Sequence, residues 1–297
     1  MSGILDELKY NLQKQDNGLF KIIVINVAIY LVLVFFWIVV RISQNEAMAE
    51  AFAWVYLQFH LPSDFFEFIR KPWTIFTYFF GHNVFNHKTQ FIDIFHILFN
   101  MIFLYWFGKL IMEYIGNRRF INIYILGGLI GGLIYLLAFN SIPYFINNPS
   151  LLIGSSGSVY AIAVAAATLL PQHRFHLLLL GPVRIIYIVA FYIFISIIGT
   201  IESNAGGNIC HLGGALLGFT YIRLLHRGYD MGKPINVISG WFRNIGKPRM
   251  KVYSNKNIDL STPSQAEIDS ILDKINRSGY KSLSKEEKEK LLRVSKK

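Results

Sequence analysis

Cysteine occurs once in 297 residues, and charged side chains make up only 16% of them. A lone thiol, Cys210, allows neither an intramolecular disulfide nor a CxxC-type metal site, which excludes a disulfide scaffold and a zinc ribbon. Soluble domains carry roughly a quarter charged residues. With 53% hydrophobic and 15% aromatic residues, and a mean hydropathy of +0.40, this chain is too oily for an ordinary soluble domain and too apolar for a disordered or collagen-like one. There is no HExxH, so zinc-protease chemistry is not indicated, and no pair of aspartates lies within the apolar runs. What charge there is collects at one end. The stretch from His226 to Lys297 holds 16 Lys and Arg against 8 Asp and Glu, and so +8 of the net +11.

Crossing a hydrocarbon core about 30 Å thick takes roughly 20 mostly apolar helical residues. Six windows approach that: Ile22–Val40, Phe91–Met112, Phe120–Phe139, Leu151–Leu170, Ile185–Thr200 and Ile209–Leu225. The sequence therefore predicts an all-α, polytopic membrane protein of six spans. Lys9, Lys14 and Lys21 before the first window imitate a signal peptide, but the run is too long for one, and Ala47-Met48-Ala49 lies beyond its end. Lys109, Arg118 and Arg119 flank the second connection and Arg174 and Arg184 the fourth, while Asn140–Ser150 and Ile201–Asn208 carry no basic residue. Positive charge stays inside, so the expectation is a multi-pass protein of the cell membrane with both termini cytoplasmic, its basic tail near anionic lipid. The long first loop, with Trp54, Phe65, Phe66, Phe68, Trp73, Phe76, Tyr78, Phe79 and Phe80, should lie in the outer interface and hold short amphipathic helices.

Polar side chains inside lipid are costly and mark function. The three descending spans carry His96 and Asn100, then Ser155, Ser156 and Ser158, then His211. His96 and Asn100 are four residues apart and share a helix face. Counted up from the inner boundary at 1.5 Å per residue, His96, Ser156 and His211 all fall roughly 20–22 Å above it, in one layer. Gly154-Ser155-Ser156-Gly157 is a poor helix interior whereas Ser158–Leu170 is a good one, so the regular helix should begin near Ser156, below the membrane surface. Non-helical backbone at that depth must line a cavity or be buried in protein. A hydroxyl beside unpaired helix N–H groups, with an imidazole at the same depth, makes the parts of an acyl-transfer site.

At these residues the chain resembles the rhomboid family of intramembrane serine proteases. The GxSG motif reads Gly154-Ser155-Ser156-Gly157, the histidine motif of the last span His211-Leu212-Gly213-Gly214 with Gly218, the HxxxN pattern His96 to Asn100, and the ExxxGxxR segment Glu113 to Arg119. The resemblance implies a six-helix bundle with a Ser–His dyad, without cofactor or metal, acting on membrane-anchored proteins. Ser156 would be the nucleophile and His211 the general base. His96, Asn100 and the Ser156 N–H would form the oxyanion hole, and Gly154, Gly157 and Tyr160 would support it, Tyr160 by packing on His211. Three departures stand out: Trp73-Thr74 where the family often has Trp-Arg, an insertion at Asn83–Gln90, and Cys210 in place of alanine.

Other readings of the same residues remain. Gly128 and Gly132 form a small-residue surface for packing between helices, and Gly214 and Gly218 should press the sixth span on the fourth. His82, His87 and His96 fall at no metal-ligand spacing. Asp93, Glu113 and Glu202 sit near span ends and read as structural. A catalytically silent member of the family that binds client membrane proteins, or a small transporter, would use the same polar layer. The organisation expected is a cytoplasmic segment 1–21, a bundle 22–225, a basic linker 226–260 and a cytoplasmic helical hairpin 261–297. In that hairpin, capping boxes at Ser264/Glu267 and Ser284/Glu287 open two helices and Gly279 closes the first. Its charges are interleaved and it presents no reading helix, so no nucleic-acid partner is expected. The oligomeric state is not legible.

Overall fold

Apolar runs without internal proline fold as helices, and the polar punctuation between them sets where each stops. The computed structural model describes residues 13–14, 16–85, 91–177, 181–201, 204–237 and 264–294, in two units, Met1–Arg243 and Asn244–Lys297. In the first unit α1 is Gly18–Ser43, followed by α2 (Glu46–Leu57), α3 (Phe65–Arg70) and the single turn α4 (Thr74–Thr77). Then come α5 (Ile94–Ile115), α6 (Asn117–Ser141), the turn α7 (Pro143–Ile146), α8 (Ser156–Leu169), α9 (Ile185–Ile198) and α10 (Ala205–His226). Helices α1, α5 and α6 are long and apolar enough to cross a membrane, while α8 and α9 are shorter apolar helices. The expected helical start at Ser156 is observed, and α10 begins four residues earlier than its apolar window because Ala205-Gly206-Gly207-Asn208 joins the helix.

The aromatic loop does contain short helices. Asn45 caps α2 by accepting from the Met48 N–H, and Asp64 caps α3 by accepting from the Glu67 N–H. Lacking the arginine of the resembled pattern, the loop is held by other bonds: Trp73 Nε1–H donates to Gln58 Oε1 (3.1 Å), Thr74 Oγ1 to Lys71 O (2.7 Å), and Asn140 Nδ2, at the end of α6, to Ser63 O (2.7 Å). A two-residue antiparallel ladder, β1 (Leu61–Pro62) on β2 (Leu151–Leu152), fastens it to the backbone leading into α8. A second ladder, β3 (Arg174–Leu177) on β4 (Gly181–Arg184), lies between α8 and α9. An all-α reading missed both, because neither run alternates long enough to register as a strand. Residues 86–90 of the expected insertion, together with His87 and Glu202, lie outside the described residues.

The centre of the unit is α10, packed chiefly on α8 and α6. A Cβ added at Gly214 would overlap the carbonyl oxygen of Gly157, and one at Gly218 that of Ala161. Helix backbones are therefore in direct contact, the packing that serves in lipid, where apolar area alone does not drive helices together. The small-residue surface of α6 needs correction. Gly127 meets Ala161 and Gly131 meets Cys210, so these two face helices, whereas Gly128 receives the Phe79 ring and Gly132 receives Ile75, Tyr78 and Leu61 from the loop. The glycine pair chosen from spacing makes the seat for the loop, and the pair one residue earlier is the helix-packing face.

Near the basic end of the bundle, Arg119 Nε donates to Asp230 (3.3 Å), which also accepts from the Tyr221 hydroxyl and the Gly232 N–H, both at 2.8 Å. Partial burial pushes the Asp230 carboxyl up, but those hydrogen bonds and the Arg119 charge outweigh it and hold the group below its usual range. In the ExxxGxxR segment it is thus Arg119 that makes the tertiary tie, while Glu113 is exposed.

The second unit contains α11 (Gln265–Ser278) and α12 (Lys285–Val294). Ser264 and Glu267 cap each other's backbone N–H, Ser284 and Glu287 do the same, and Gly279 ends α11 at φ 78°. Ile271 and Leu283 are buried, and Lys274–Glu287 and Lys290–Glu267 pair across the two helices.

If the α8–α10 contact carries the packing, Gly218→Ala should lower stability by about 1–3 kcal/mol, the usual range for forcing a methyl into a filled core. Leu216→Ala, at a side chain 58% exposed, should change it far less. Thermal unfolding of the detergent-solubilised chain reads both, and equal midpoints would contradict the packing described.

Candidate active site

The backbone before α8 runs out of the β1·β2 ladder, turns at Gly154 with φ 133°, and enters the helix at Ser156. That φ is accessible to glycine and strained for other residues. Space restricts the position too: a Cβ there would stand 3.1 Å from His96 Cε1 and Nε2. Ser156 is the first residue of α8, so its N–H and the next few have no intrahelical acceptor and the positive end of the helix dipole lies beside its hydroxyl.

From α10, His211 approaches so that its Nε2 is 2.7 Å from Ser156 Oγ. Its ring stacks on Tyr160, with centroids 4.2 Å apart and an interplanar angle of 7°. Tyr160 is one turn after Ser156 on α8, so a single helix carries both the hydroxyl and the ring that orients the imidazole. Gly157 lies beside Cys210 and under Gly214, where any side chain would separate the two helices. Cys210 points away from His211, to Tyr78, its Sγ 3.4 Å from the phenol oxygen.

On the other side stand His96 and Asn100 of α5. His96 Nδ1 accepts the Asn83 N–H (3.3 Å). A backbone N–H can only donate, so the proton of neutral His96 is on Nε2, on the ring edge beside Gly154. Asp93 caps α5 through the His96 N–H (3.3 Å), in keeping with the structural role expected of it. Asn100 donates one amide hydrogen to His96 O (2.7 Å), and its Oδ1 accepts from Ser155 Oγ (3.4 Å). Asn100 lines the cavity, and its second amide hydrogen has no acceptor among the described residues. Ser158 is fully buried, and its hydroxyl has no partner among the described residues, so it stands apart from this group.

Ser156, Tyr160, His211, His96 and Asn100 line one cavity of about 490 Å³, which continues along α5, α8 and α9 past Phe103, Val164 and Tyr192. Phe103 and Tyr192 close edge to face across it, with centroids 4.9 Å apart. The structure thus brings Ser156, His211, His96, Asn100, Gly154, Gly157 and Tyr160 together. Among the described residues, no three His, Cys, Asp or Glu side chains gather as a metal site would need.

Two polar residues of this region escaped the sequence analysis. Asn26 of α1 is fully buried: its amide donates to Ile22 O (2.8 Å) and the Tyr124 hydroxyl (3.1 Å), and its Oδ1 faces His82 Nε2 (3.1 Å). His82 in turn lies 3.5 Å from Ser155 Oγ, so a buried polar layer lies behind the contact of Ser155 with Asn100. Ser196 of α9 sits 3.2 Å from His211 Nδ1. Each is an isolated polar side chain in an otherwise apolar run, and that isolation was the signal available. Replacing His82 with Ala would strand Asn26 Oδ1. We expect a loss of about 1–3 kcal/mol, the cost of an unsatisfied buried polar group, read as a lowered unfolding midpoint; an unchanged midpoint would show the layer to be dispensable.

A rhomboid-domain family model covers residues 70–228, more than half of the chain. A family of unknown function, DUF6576, covers residues 261–297. The RHOMBOID-like protein 12, mitochondrial, of Arabidopsis thaliana is 32% identical over 145 residues, which are 45% of this chain and 43% of that protein. The chain thus spans less than half the length of this curated relative. With the domain matched from the aromatic loop through the end of α10, the chain belongs to the rhomboid family of membrane proteins.

Proposed function

We propose that the chain is an intramembrane serine endopeptidase that hydrolyses peptide bonds of membrane-anchored proteins. The observation that carries this reading is the 2.7 Å contact between Ser156 Oγ and His211 Nε2, inside a cavity that also presents hydrogen-bond donors. In the first step Ser156 Oγ attacks the scissile carbonyl carbon and its proton passes to His211 Nε2. The oxyanion formed is met by the Ser156 N–H, His96 Nε2–H and the second amide hydrogen of Asn100. The C–N bond then breaks as His211 returns the proton to the leaving amine. Water, deprotonated by His211, cleaves the acyl-enzyme and restores the hydroxyl. His96 and Asn100 are donors for the oxyanion, with no part in proton transfer.

The same reading includes six spans, α8, α9 and α10 completing those begun by α1, α5 and α6. Both termini and the α11–α12 hairpin then lie in the cytoplasm and the chain in the cell membrane, with Arg118, Arg119, Arg174 and Arg184 on the inner side. A substrate helix hides its carbonyls from attack and must partly unwind to reach Ser156. A small residue before the scissile bond is the expected preference, by likeness to the family.

In a reporter assay with a membrane-anchored substrate, Ser156→Ala and His211→Ala should each abolish cleavage. Asn100→Ala should slow turnover up to about 10²–10³-fold, the scale of one lost oxyanion donor. A fluorophosphonate probe should modify Ser156 in the wild-type chain. Wild-type turnover by the serine variant would reject the mechanism, and an unreactive wild-type chain would leave the second reading, a silent client-binding member of the family.

A further inference from the structure

We propose that Ser196 is a positioning residue that fixes the tautomer of His211, in the place a carboxylate takes in a three-residue triad. The inference rests on the protease reading and extends it to a residue outside the motifs.

Three hydrogen-bonding contacts run in series away from the dyad. His211 Nδ1 is 3.2 Å from Ser196 Oγ, Ser196 Oγ is 2.9 Å from the Tyr160 phenol oxygen, and that oxygen is 3.3 Å from the carbonyl oxygen of Tyr192. The last atom can only accept, so it sets the direction of the whole series. Tyr160 O–H donates to Tyr192 O, Ser196 O–H donates to Tyr160, and Ser196 Oγ is left to accept from His211 Nδ1–H. Two hydroxyl protons and one imidazole proton fill three contacts in that arrangement. Were Nδ1 bare, Ser196 would have to donate to it, and the Ser196–Tyr160 contact would hold two oxygens and no proton. With Ser196 only 1% exposed, water does not readily fill that gap.

The consequence is at the other nitrogen. A neutral His211 protonated on Nδ1 presents a bare Nε2 to Ser156 Oγ–H, the tautomer a general base needs. When Nε2 takes the Ser156 proton, the imidazolium carries N–H at both nitrogens. Nδ1–H stays on Ser196 Oγ, and no proton moves along the series. Stacking on Tyr160 does not distinguish the two imidazole orientations related by a 180° turn about Cβ–Cγ, which exchanges Nδ1 with Cδ2. The hydrogen bond to Ser196 selects one of them. Packing alone gives α9 no reason for a hydroxyl here, since its neighbours along the helix are Phe194, Ile195, Ile197 and Ile198.

The test compares substitutions of matched shape in the full-length chain. Ser196→Thr keeps the hydroxyl, Ser196→Val matches threonine in volume without it, and Ser196→Ala removes only the oxygen if either larger side chain spoils folding. We expect the Val and Ala variants to lose about 10–100-fold in kcat on a membrane reporter with KM unchanged, the effect of a hydrogen bond to a charged group. Their rate of labelling by a fluorophosphonate should fall in parallel, and the Thr variant should stay within about threefold of wild type. Equal rates for Thr and Val, or an Ala variant with wild-type kcat, would overturn the inference while leaving the protease reading intact. A wild-type chain that neither cleaves nor labels would overturn both.

Discussion

Everything at the candidate site depends on two helix backbones touching. Gly214 and Gly218 of α10 lie on the carbonyls of Gly157 and Ala161 of α8, and His211 stands on the same face, three and seven residues before them. Residues at that spacing share one side of a helix, so the contact that packs α10 also aims the imidazole at Ser156. A methyl group at either glycine would hold the helices apart. The requirement is local, yet it reaches the chemistry, because a hydrogen bond of 2.7 Å between Oγ and Nε2 tolerates little displacement.

A second constraint comes from the surroundings. Side chains buried among apolar helices cannot turn to bulk water, so a polar atom must find a protein partner or carry a cost. Such partners stand on both sides of the candidate site: His82, Asn26 and Tyr124 behind Ser155, and Ser196, Tyr160 and Tyr192 O behind His211. Carbonyl acceptors and N–H donors at the ends of these series, Phe79 O, Tyr192 O and the Asn83 N–H, have fixed roles and so orient what lies between. Protonation patterns at His96 and His211 follow from that orientation.

Much of this was readable from sequence because helices in lipid obey simple metrics. Apolar windows located the six long or apolar helices of the first unit to within several residues, the poor helix-forming run Gly154–Gly157 marked where α8 begins, and rise per residue placed His96, Ser156 and His211 in one layer. What failed did so for definable reasons. Spacing alone cannot say which neighbour a glycine meets: it points to Gly128 and Gly132 as the helix-packing pair on α6, and the pair is Gly127 and Gly131. Asn26 and Ser196 lie on spans that were read only for hydropathy, and their partners are 56 and 15 residues away. The ladders joining Leu61 to Leu152 and Arg174 to Arg184 are too short to show a period of two.

The length of α8 carries one more implication. Fourteen residues from Ser156 to Leu169 rise about 21 Å, well short of a hydrocarbon slab about 30 Å deep. On the Ser156 side the backbone before the helix is paired by protein: Leu61 and Pro62 ladder with Leu152 and Leu151, and the Gly154 N–H donates to Tyr78 O. A helix of that length is too short to seal such a slab by itself, and what borders its first hydroxyl is the loop rather than a further turn of helix.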